Sequence, residues 1–407
     1  MADKLKSFAQ HWKYELIIFM MTMVHVLFNI EKLTYIHRMF IQYYLYDFSM
    51  GINSRVLIGS IVRLLNPHPT EEWIRGFAVI FLVFGMLLTA IVLGRVVRNS
   101  EAEKRLTIFV FILFFVSGAY TISIFSRFFG MLDIHMYIIA ILSVVFLQNK
   151  YLRWLVPILC AAGVFVNYVF IMSYFPFILL AMFYIANKSH KKSGDIVLIV
   201  ITLITVLLLT FYCVYFAGKN MFVTFDEAIK IMENKIGCTF DDDQNEYASI
   251  YLFNKHEVAE SMFGVKIHEV SPFNFIYYFM RYICEQIPIY GIITLMVIVV
   301  PVIAAFFTIW IMCIKNSKKK GNKFIYFCCM LSVVCIPVCC SLSTDYIRWI
   351  GAGFMCQFAM FFFLFYKKDE AFDKTVEKIR AVFSKNIIIP IIIYFVYVSS
   401  AYLYLGT

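Results

Sequence analysis

The amino-acid sequence predicts an all-α, polytopic membrane protein with about eleven transmembrane spans. Apolar residues make up 62% of the 407 residues and charged residues only 15%, whereas soluble domains carry about 25% charged residues. The apolar runs are continuous and close to the ~20 residues of a membrane helix, whereas strands of a membrane β-barrel alternate apolar and polar residues. These observations exclude a soluble globular protein and a disordered chain.

The apolar runs place the predicted spans along the chain. One run, 154–186, would form about 50 Å of helix, which is too long for one crossing of a ~30 Å hydrocarbon core. It is therefore predicted to fold into two short spans that turn at Asn167-Tyr168. The remaining predicted spans are 15–31, 75–95, 106–124, 134–148, 195–217, 286–314, 324–343, 348–366 and 386–405.

The basic residues predict how these spans are oriented. With a cytoplasmic N-terminus, every inside segment is basic, and these segments together hold most of the 36 Lys and Arg residues. This is the charge bias of cytoplasmic loops in membrane proteins. The first apolar run has no small-residue cleavage site after it, so it is predicted as an uncleaved span. We therefore expect one integral membrane domain, 1–407, whose net charge of +10 reflects orientation and not a nucleic-acid partner.

Two long loops are predicted on the outer side of this topology. In the first, 32–74, an aromatic segment at 35–46 and an apolar segment of helical spacing at 52–65 are predicted as interfacial amphipathic helices. The second, 218–285, ends in an aromatic amphipathic segment that is predicted to form a lid or an interfacial helix. The acidic run at 241–243 of this loop is interpreted as a solvated turn, with cation binding as the alternative.

Four polar clusters, at 47–55, 126–135, 167–168 and 341–349, fall on the predicted outer side. Ionisable residues at membrane depth are costly and therefore mark candidate sites. Each cluster also has a structural interpretation, such as a polar turn, a capping aspartate or an aspartate–arginine pair one helical turn apart. Because charge alone puts all four clusters on one face, we predict a shared polar site. Its candidate residues are Asp47, Arg55, Arg127, Asp133, His135, Asn167, Asp345 and Arg348.

The sequence assigns no cofactor. A divalent metal at Asp133 and His135 is a possible exception, but two ligands two residues apart do not define a metal site. No nucleotide-binding motif and no signature of a soluble hydrolase occurs in a usable context. Chemistry driven by a nucleotide is therefore disfavoured.

The layout of the chain resembles the polytopic glycosyltransferases of the C-type fold, in which a first span precedes an outer loop with interfacial helices and an early aspartate. The runs DFSMGINSRVLIG (47–59) and DYIRW (345–349) also resemble uncharacterised membrane proteins of bacterial polysaccharide clusters. The resemblance implies a polyprenyl-phosphate-linked sugar donor, Asp47 as catalytic base and a location in the bacterial plasma (inner) membrane. The second outer turn has Asp133-Ile134-His135 where the family pattern is D-x-D or E-x-D, which leaves metal dependence open.

The residues themselves fit that chemistry. Arg55, Arg127 and Arg348 are candidates for bidentate contacts to a lipid-linked phosphate, and a carboxylate such as Asp47 can accept the proton of an acceptor hydroxyl. We therefore expect a membrane glycosyltransferase that acts on lipid-linked saccharides in cell-surface polysaccharide assembly. Three alternatives stay open: an O-antigen-type polymerase, a transporter or flippase for the same saccharides, and a non-catalytic membrane subunit. The oligomeric state is not predicted.

Overall fold

The computed structural model of the protein is helical in the residues that it describes, and only an isolated bridge between Gly51 and Met221 has β geometry there. The predicted all-α class is confirmed for this part of the chain. The described residues are 11–28, 30–118, 120–189, 192–216, 220–251, 297, 299–342 and 346–382.

The described helices are numbered here in chain order. The first group is α1 (Lys13–Phe28), α2 (Ile30–Leu33), α3 (Arg38–Leu45), α4 (Leu57–Leu65), α5 (Glu71–Arg98), α6 (Ala102–Ser117), α7 (Ser123–Arg127) and α8 (Asp133–Leu147). A short 3-10 helix (Leu152–Leu155) is followed by α9 (Val156–Val166), α10 (Phe170–Ser173), α11 (Phe175–Lys188), α12 (Lys192–Tyr215), α13 (Phe225–Ile236) and α14 (Asp242–Tyr251). The last group is α15 (Val300–Asn316), α16 (Lys320–Leu342), α17 (Tyr346–Tyr366) and α18 (Glu370–Val382).

Three of the described helices are long and apolar enough to cross a membrane, and four shorter apolar helices accompany them. These helices coincide with predicted spans and indicate a lipid bilayer environment, because a crossing needs about 20 apolar residues. The total of about eleven spans and the cytoplasmic N-terminus stay predictions. The three long helices are Glu71–Arg98, Ser193–Tyr215 and Arg348–Tyr366.

The long apolar stretch at 154–186 breaks at the predicted place. Helix α9 ends at Val166, and Asn167 adopts an extended backbone with φ −163° and ψ 126°. The side-chain Oδ1 of Asn167 accepts a hydrogen bond from the backbone N–H of Val169 at 3.2 Å, which stabilises the turn. The chain continues through α10 into α11, so the predicted break at Asn167-Tyr168 is confirmed, whereas two separate membrane crossings stay a prediction.

The predicted span 106–124 is wrong at its C-terminal end. Helix α6 ends at Ser117, because Gly118 has an extended backbone with φ −62° and ψ 134°. The hydroxyl of Thr121 donates to the carbonyl oxygens of Phe115 and Gly118. These bonds supply donors to carbonyl groups that lose their partners where the helix ends. The separate short helix α7 follows this break.

Some predictions concern residues outside the described part of the chain. The last predicted span, 386–405, lies there entirely, as does the predicted lid segment within the loop 218–285. The whole of that loop beyond Tyr251 and the first part of the span 286–314 also lie outside the described residues.

The two predicted loop helices of the first long loop correspond to α3 and α4. Backbone contacts attach this loop to the later loop that carries α13. The N–H of Ile52 donates to the carbonyl oxygen of Asn220 at 3.2 Å, and the N–H of Phe222 donates to that of Met50 at 2.9 Å. These contacts bring α13 against the turn between α3 and α4, where Asp47 lies.

Candidate functional site

Asp47 lies in the turn between α3 and α4, and only 1% of its surface is exposed. Its Oδ1 accepts hydrogen bonds from the backbone N–H of Ser49 at 2.7 Å and from the Ser49 hydroxyl at 2.6 Å. Arg63 also donates to Oδ1, at 3.3 Å, and Lys235 donates to Oδ2 at 2.6 Å. We call Asp47, Ser49, Arg63 and Lys235 the Asp47 cluster. Because two of the hydrogen-bond donors to Asp47 are cations, the charge of the buried carboxylate is compensated.

Helix α13 positions Lys235. The helix begins at a capping box, in which the Thr224 side chain and Glu227 bond each other's backbone N–H, and it ends at Gly237 with φ 74°. Lys235 lies in its last turn, where a positive charge is favourable. The same ammonium group donates to the carbonyl oxygen of Leu45 at 3.0 Å, so Lys235 bridges α3, the turn and α13.

The cations set the protonation state of the Asp47 cluster. Burial raises the pKa of Asp47, but hydrogen bonds from Lys235 and Ser49 outweigh it and hold the pKa below the ordinary 3.8. Burial lowers the pKa of Lys235, and this outweighs the raising effect of Asp47. A carboxylate held ionised by cations is a weak base until those cations are engaged elsewhere.

Arg55 connects the first predicted cluster to the Asn167 turn. Its backbone has φ 70°, which is uncommon for a residue other than glycine, and it is 7% exposed. The guanidinium carbon lies 5.9 Å from the ring centre of Tyr43 and 5.6 Å from that of Tyr168. The hydroxyl oxygen of Ser54 accepts a hydrogen bond from the backbone N–H of Tyr168 at 2.8 Å. The structure therefore brings together two clusters that are more than one hundred residues apart.

Asp133 and Arg348 form the second group. Arg348 Nε donates to Asp133 Oδ2 at 2.9 Å, and the two side chains are 15% and 11% exposed, respectively. The thiol of Cys356 in α17 donates to the carbonyl oxygen of Ser173 at the end of α10 at 3.1 Å, so the segment after the Asn167 turn packs on the helix that carries Arg348. Asp345, which the sequence also offers as a partner of Arg348, lies outside the described residues. The chain around the Asn167 turn thus contacts the loop of Arg55 through Tyr168 and the helix of Arg348 through Ser173.

His135 does not share the environment of Asp133. Its ring is buried against Tyr44, Phe77 and Phe81, with the centre of the Phe81 ring 4.8 Å away. Neither ring nitrogen has a hydrogen-bond partner among the described residues. Residues two positions apart on a helix point to different sides, which explains the separation of His135 from Asp133. Within the described residues, no group of three His, Cys, Asp or Glu side chains could hold a metal ion.

The other predicted residues have simpler surroundings. Arg127 is half-buried in α7, and its guanidinium carbon lies 5.6 Å from the ring centre of Phe128. In the acidic run, Asp241 accepts hydrogen bonds from the backbone N–H of Gln244 at 2.8 Å and from its side-chain amide at 2.6 Å. Asp241 therefore caps the start of α14, which is a structural role for the run.

Sequence reasoning did not find Lys235 as a site residue. The Thr224–Glu227 pattern signals the start of a helix, so α13 could be recognised from the sequence. Lys235 and Asp47 are 188 positions apart in the sequence, and no local sequence pattern predicts a contact between them.

The described site combines a buried carboxylate, several cations and aromatic rings within loops and helix ends. No protein-family model, no curated protein and no solved structure matches this chain. A functional inference therefore depends on the arrangement of these side chains.

Proposed function

We propose that this protein is a membrane glycosyltransferase that uses a polyprenyl-phosphate-linked sugar on the outer face of the bacterial plasma (inner) membrane for cell-surface polysaccharide assembly. The observation that carries the proposal is the Asp47 cluster, in which one buried carboxylate binds two cations from two different loops. A lipid-linked sugar carries its phosphate near the membrane surface, where such cations are needed.

The first step is binding of the donor phosphate. Arg63 is the accessible cation, since its side chain is 52% exposed while that of Lys235 is 12% exposed. A phosphate that binds Arg63 and then Lys235 competes directly with the Asp47 carboxylate. Loss of these donors raises the pKa of Asp47 toward that of a buried carboxylate, so Asp47 becomes a stronger base when the donor is bound.

The second step is transfer of the sugar. Asp47 accepts the proton of the acceptor hydroxyl, and the acceptor oxygen forms a bond to the anomeric carbon of the donor sugar. The bond between that carbon and the phosphate oxygen breaks, and its electron pair leaves with the lipid phosphate. Arg63 and Lys235 stabilise the negative charge on the leaving phosphate.

The proposal is tested with the purified full-length protein, supplied with polyprenyl-phosphate-linked sugars and saccharide acceptors. Formation of a transferred glycan and release of lipid phosphate are followed by mass spectrometry. Asp47→Asn removes the base, and general-base catalysis contributes about 10²–10⁴-fold, so turnover should fall by at least about a hundredfold.

Asp195→Asn is the matched control. Asp195 is also a buried aspartate in an ion pair, with Arg153 at 2.5 Å, but it does not belong to the Asp47 cluster. This variant should retain turnover. Equal turnover by Asp47→Asn and the original protein would end the assignment of the base and favour an O-antigen-type polymerase, which depends more on outer-face arginines.

A transporter or flippase for lipid-linked saccharides is the second candidate. One observation favours it: the Tyr44 hydroxyl, the Tyr174 hydroxyl and both His135 nitrogens are buried without hydrogen-bond partners among the described residues. Such groups suit a polar path through a helix bundle. Movement of a fluorescent lipid-linked saccharide across proteoliposomes, without any transferred product, would support this candidate over the glycosyltransferase.

A further inference from the structure

A partly open cavity of about 400 Å³ lies between α5, α6, α8, α11 and α17. Asp133 and Arg348 meet where α8 and α17 begin, whereas the cavity follows the later parts of these helices to Gln148 and Tyr366. The cavity therefore lies toward the opposite end of the bundle from the Asp133–Arg348 pair. Ligand pockets typically have volumes of about 300–1,000 Å³ and mostly apolar walls, so the cavity is large enough for a ligand.

The polar groups in the inner part of the cavity already have hydrogen-bond partners within the protein. Its polar lining residues, Thr89 and Tyr137, bond each other through their hydroxyl oxygens at 2.8 Å. The Thr89 hydroxyl also donates to the carbonyl oxygen of Gly85 at 2.7 Å. The rest of the inner wall is aliphatic or aromatic, so it offers no hydrogen-bond partner to a polar ligand. An aliphatic chain is therefore the occupant that this part fits.

The mouth of the cavity is chemically different. Arg95 lines it, is exposed, and makes no ion pair or side-chain hydrogen bond with any described residue. The Oε1 atom of Gln148 is buried there without a hydrogen-bond partner in the described part of the chain. Leu152 and Tyr366, which also line the mouth, are exposed. The mouth thus presents a cation and an unsatisfied acceptor at the end of an apolar cavity.

We propose that this cavity binds an anionic phospholipid. One acyl chain fills the cavity, the phosphate binds Arg95, and a headgroup hydroxyl donates to Gln148 Oε1. Helix α8 rises about 16 Å between Tyr137 and Gln148, which is about half of a ~30 Å hydrocarbon core and matches the depth of one leaflet. This lipid site is separate from the proposed glycosyltransferase site and does not depend on that proposal.

The test measures lipid binding to the detergent-purified full-length protein by native mass spectrometry. Phosphatidylglycerol is compared with phosphatidylcholine, with the same dioleoyl chains on both. We expect phosphatidylglycerol to bind more tightly, and Arg95→Gln to weaken it by about tenfold, as for the loss of one charge-assisted hydrogen bond. Val144→Phe, which fills the cavity, should weaken binding of both lipids.

Two control variants separate this site from general effects. Arg380→Gln removes an exposed arginine of α18, and Val200→Phe enlarges an exposed residue of α12; both should bind lipid as the original protein does. Unchanged binding by Arg95→Gln would overturn the headgroup contact, and unchanged binding by Val144→Phe would overturn the cavity as the site. Tighter binding of undecaprenyl phosphate than of phosphatidylglycerol would overturn the phospholipid assignment. Equal binding of glycerol 3-phosphate would overturn the role of the chain.

Discussion

The ion pair between Asp47 and Lys235 is expected to be a major local source of stability. Lys235→Met would remove the donor at 2.6 Å from a carboxylate whose side chain is 1% exposed. Removing one partner of a buried ion pair costs about 3–5 kcal/mol, because the other charge is left without compensation. Arg63 and Ser49 still donate to Asp47, so we expect the lower end of this range, about 3 kcal/mol.

The assay is a double-mutant cycle with Asp47→Asn and Lys235→Met. Free energies of unfolding are measured in mixed detergent micelles, with an increasing fraction of sodium dodecyl sulfate and detection by circular dichroism. Each single variant leaves one side chain of the pair without its charged partner. The double variant contains neither charged side chain, so no unpaired member of the pair is left. The double variant should therefore cost about 2 kcal/mol less than the sum of the two single variants.

A control cycle combines Lys235→Met with Asp195→Asn, which belongs to the separate pair with Arg153. Distant sites are additive to within about 0.5 kcal/mol, so this cycle should show no coupling. Additive costs for Asp47→Asn and Lys235→Met would show that the two residues are not in contact, and the reasoning about the Asp47 cluster would fail.

The remaining predictions concern the packing of Gly59, the Asp133–Arg348 ion pair and the loss of stability at low pH. A Cβ atom on Gly59 would lie 2.0 Å from the carbonyl oxygen of Tyr46, so Gly59→Ala should lower the free energy of unfolding by about 1–3 kcal/mol; an unchanged value would contradict this packing. Arg348→Gln should destabilise the protein, and adding Asp133→Asn should recover part of the loss in the same assay, whereas no recovery would argue against the pair. Folding lowers the pKa of Asp47, so the ionised carboxylate stabilises the folded protein at pH values above its ordinary pKa of 3.8. This stabilisation is lost as the pH falls below 3.8. Asp47→Asn should therefore weaken the loss of stability in acid, and an identical acid profile would refute this role.

Much of the fold could be predicted from composition and from the length of apolar runs. The turn at Asn167 was predictable because 154–186 is too long for one crossing, and α3 and α4 were predictable from amphipathic spacing. The end of α6 at Ser117 was not, since the apolar run continues to residue 124. The helix ends there because Gly118 has an extended backbone and Thr121 hydrogen-bonds to the preceding carbonyl groups. A hydropathy pattern predicts neither feature.

The candidate site was predicted as a set of residues but not as a set of contacts. Asp47 could be selected because ionisable residues at membrane depth are costly and therefore mark candidate sites. Its partner Lys235 could not be selected, because the pair depends on the backbone contacts that dock the loop of α13 against residues 50–52. In the same way, Asp133 and His135 are neighbours in sequence, but the helix separates them.

Composition and the lengths of apolar runs were enough to establish a helical membrane protein. Each apolar segment enters lipid by its own hydrophobicity and satisfies its backbone within its own helix, so this property is local to the segment. The pairing of Asp47 with Lys235, the pairing of Asp133 with Arg348, and the cavity beside Arg95 were decided only by the tertiary structure. Ion pairs and cavities arise from the packing of segments that are distant in sequence, and that packing has no local signature.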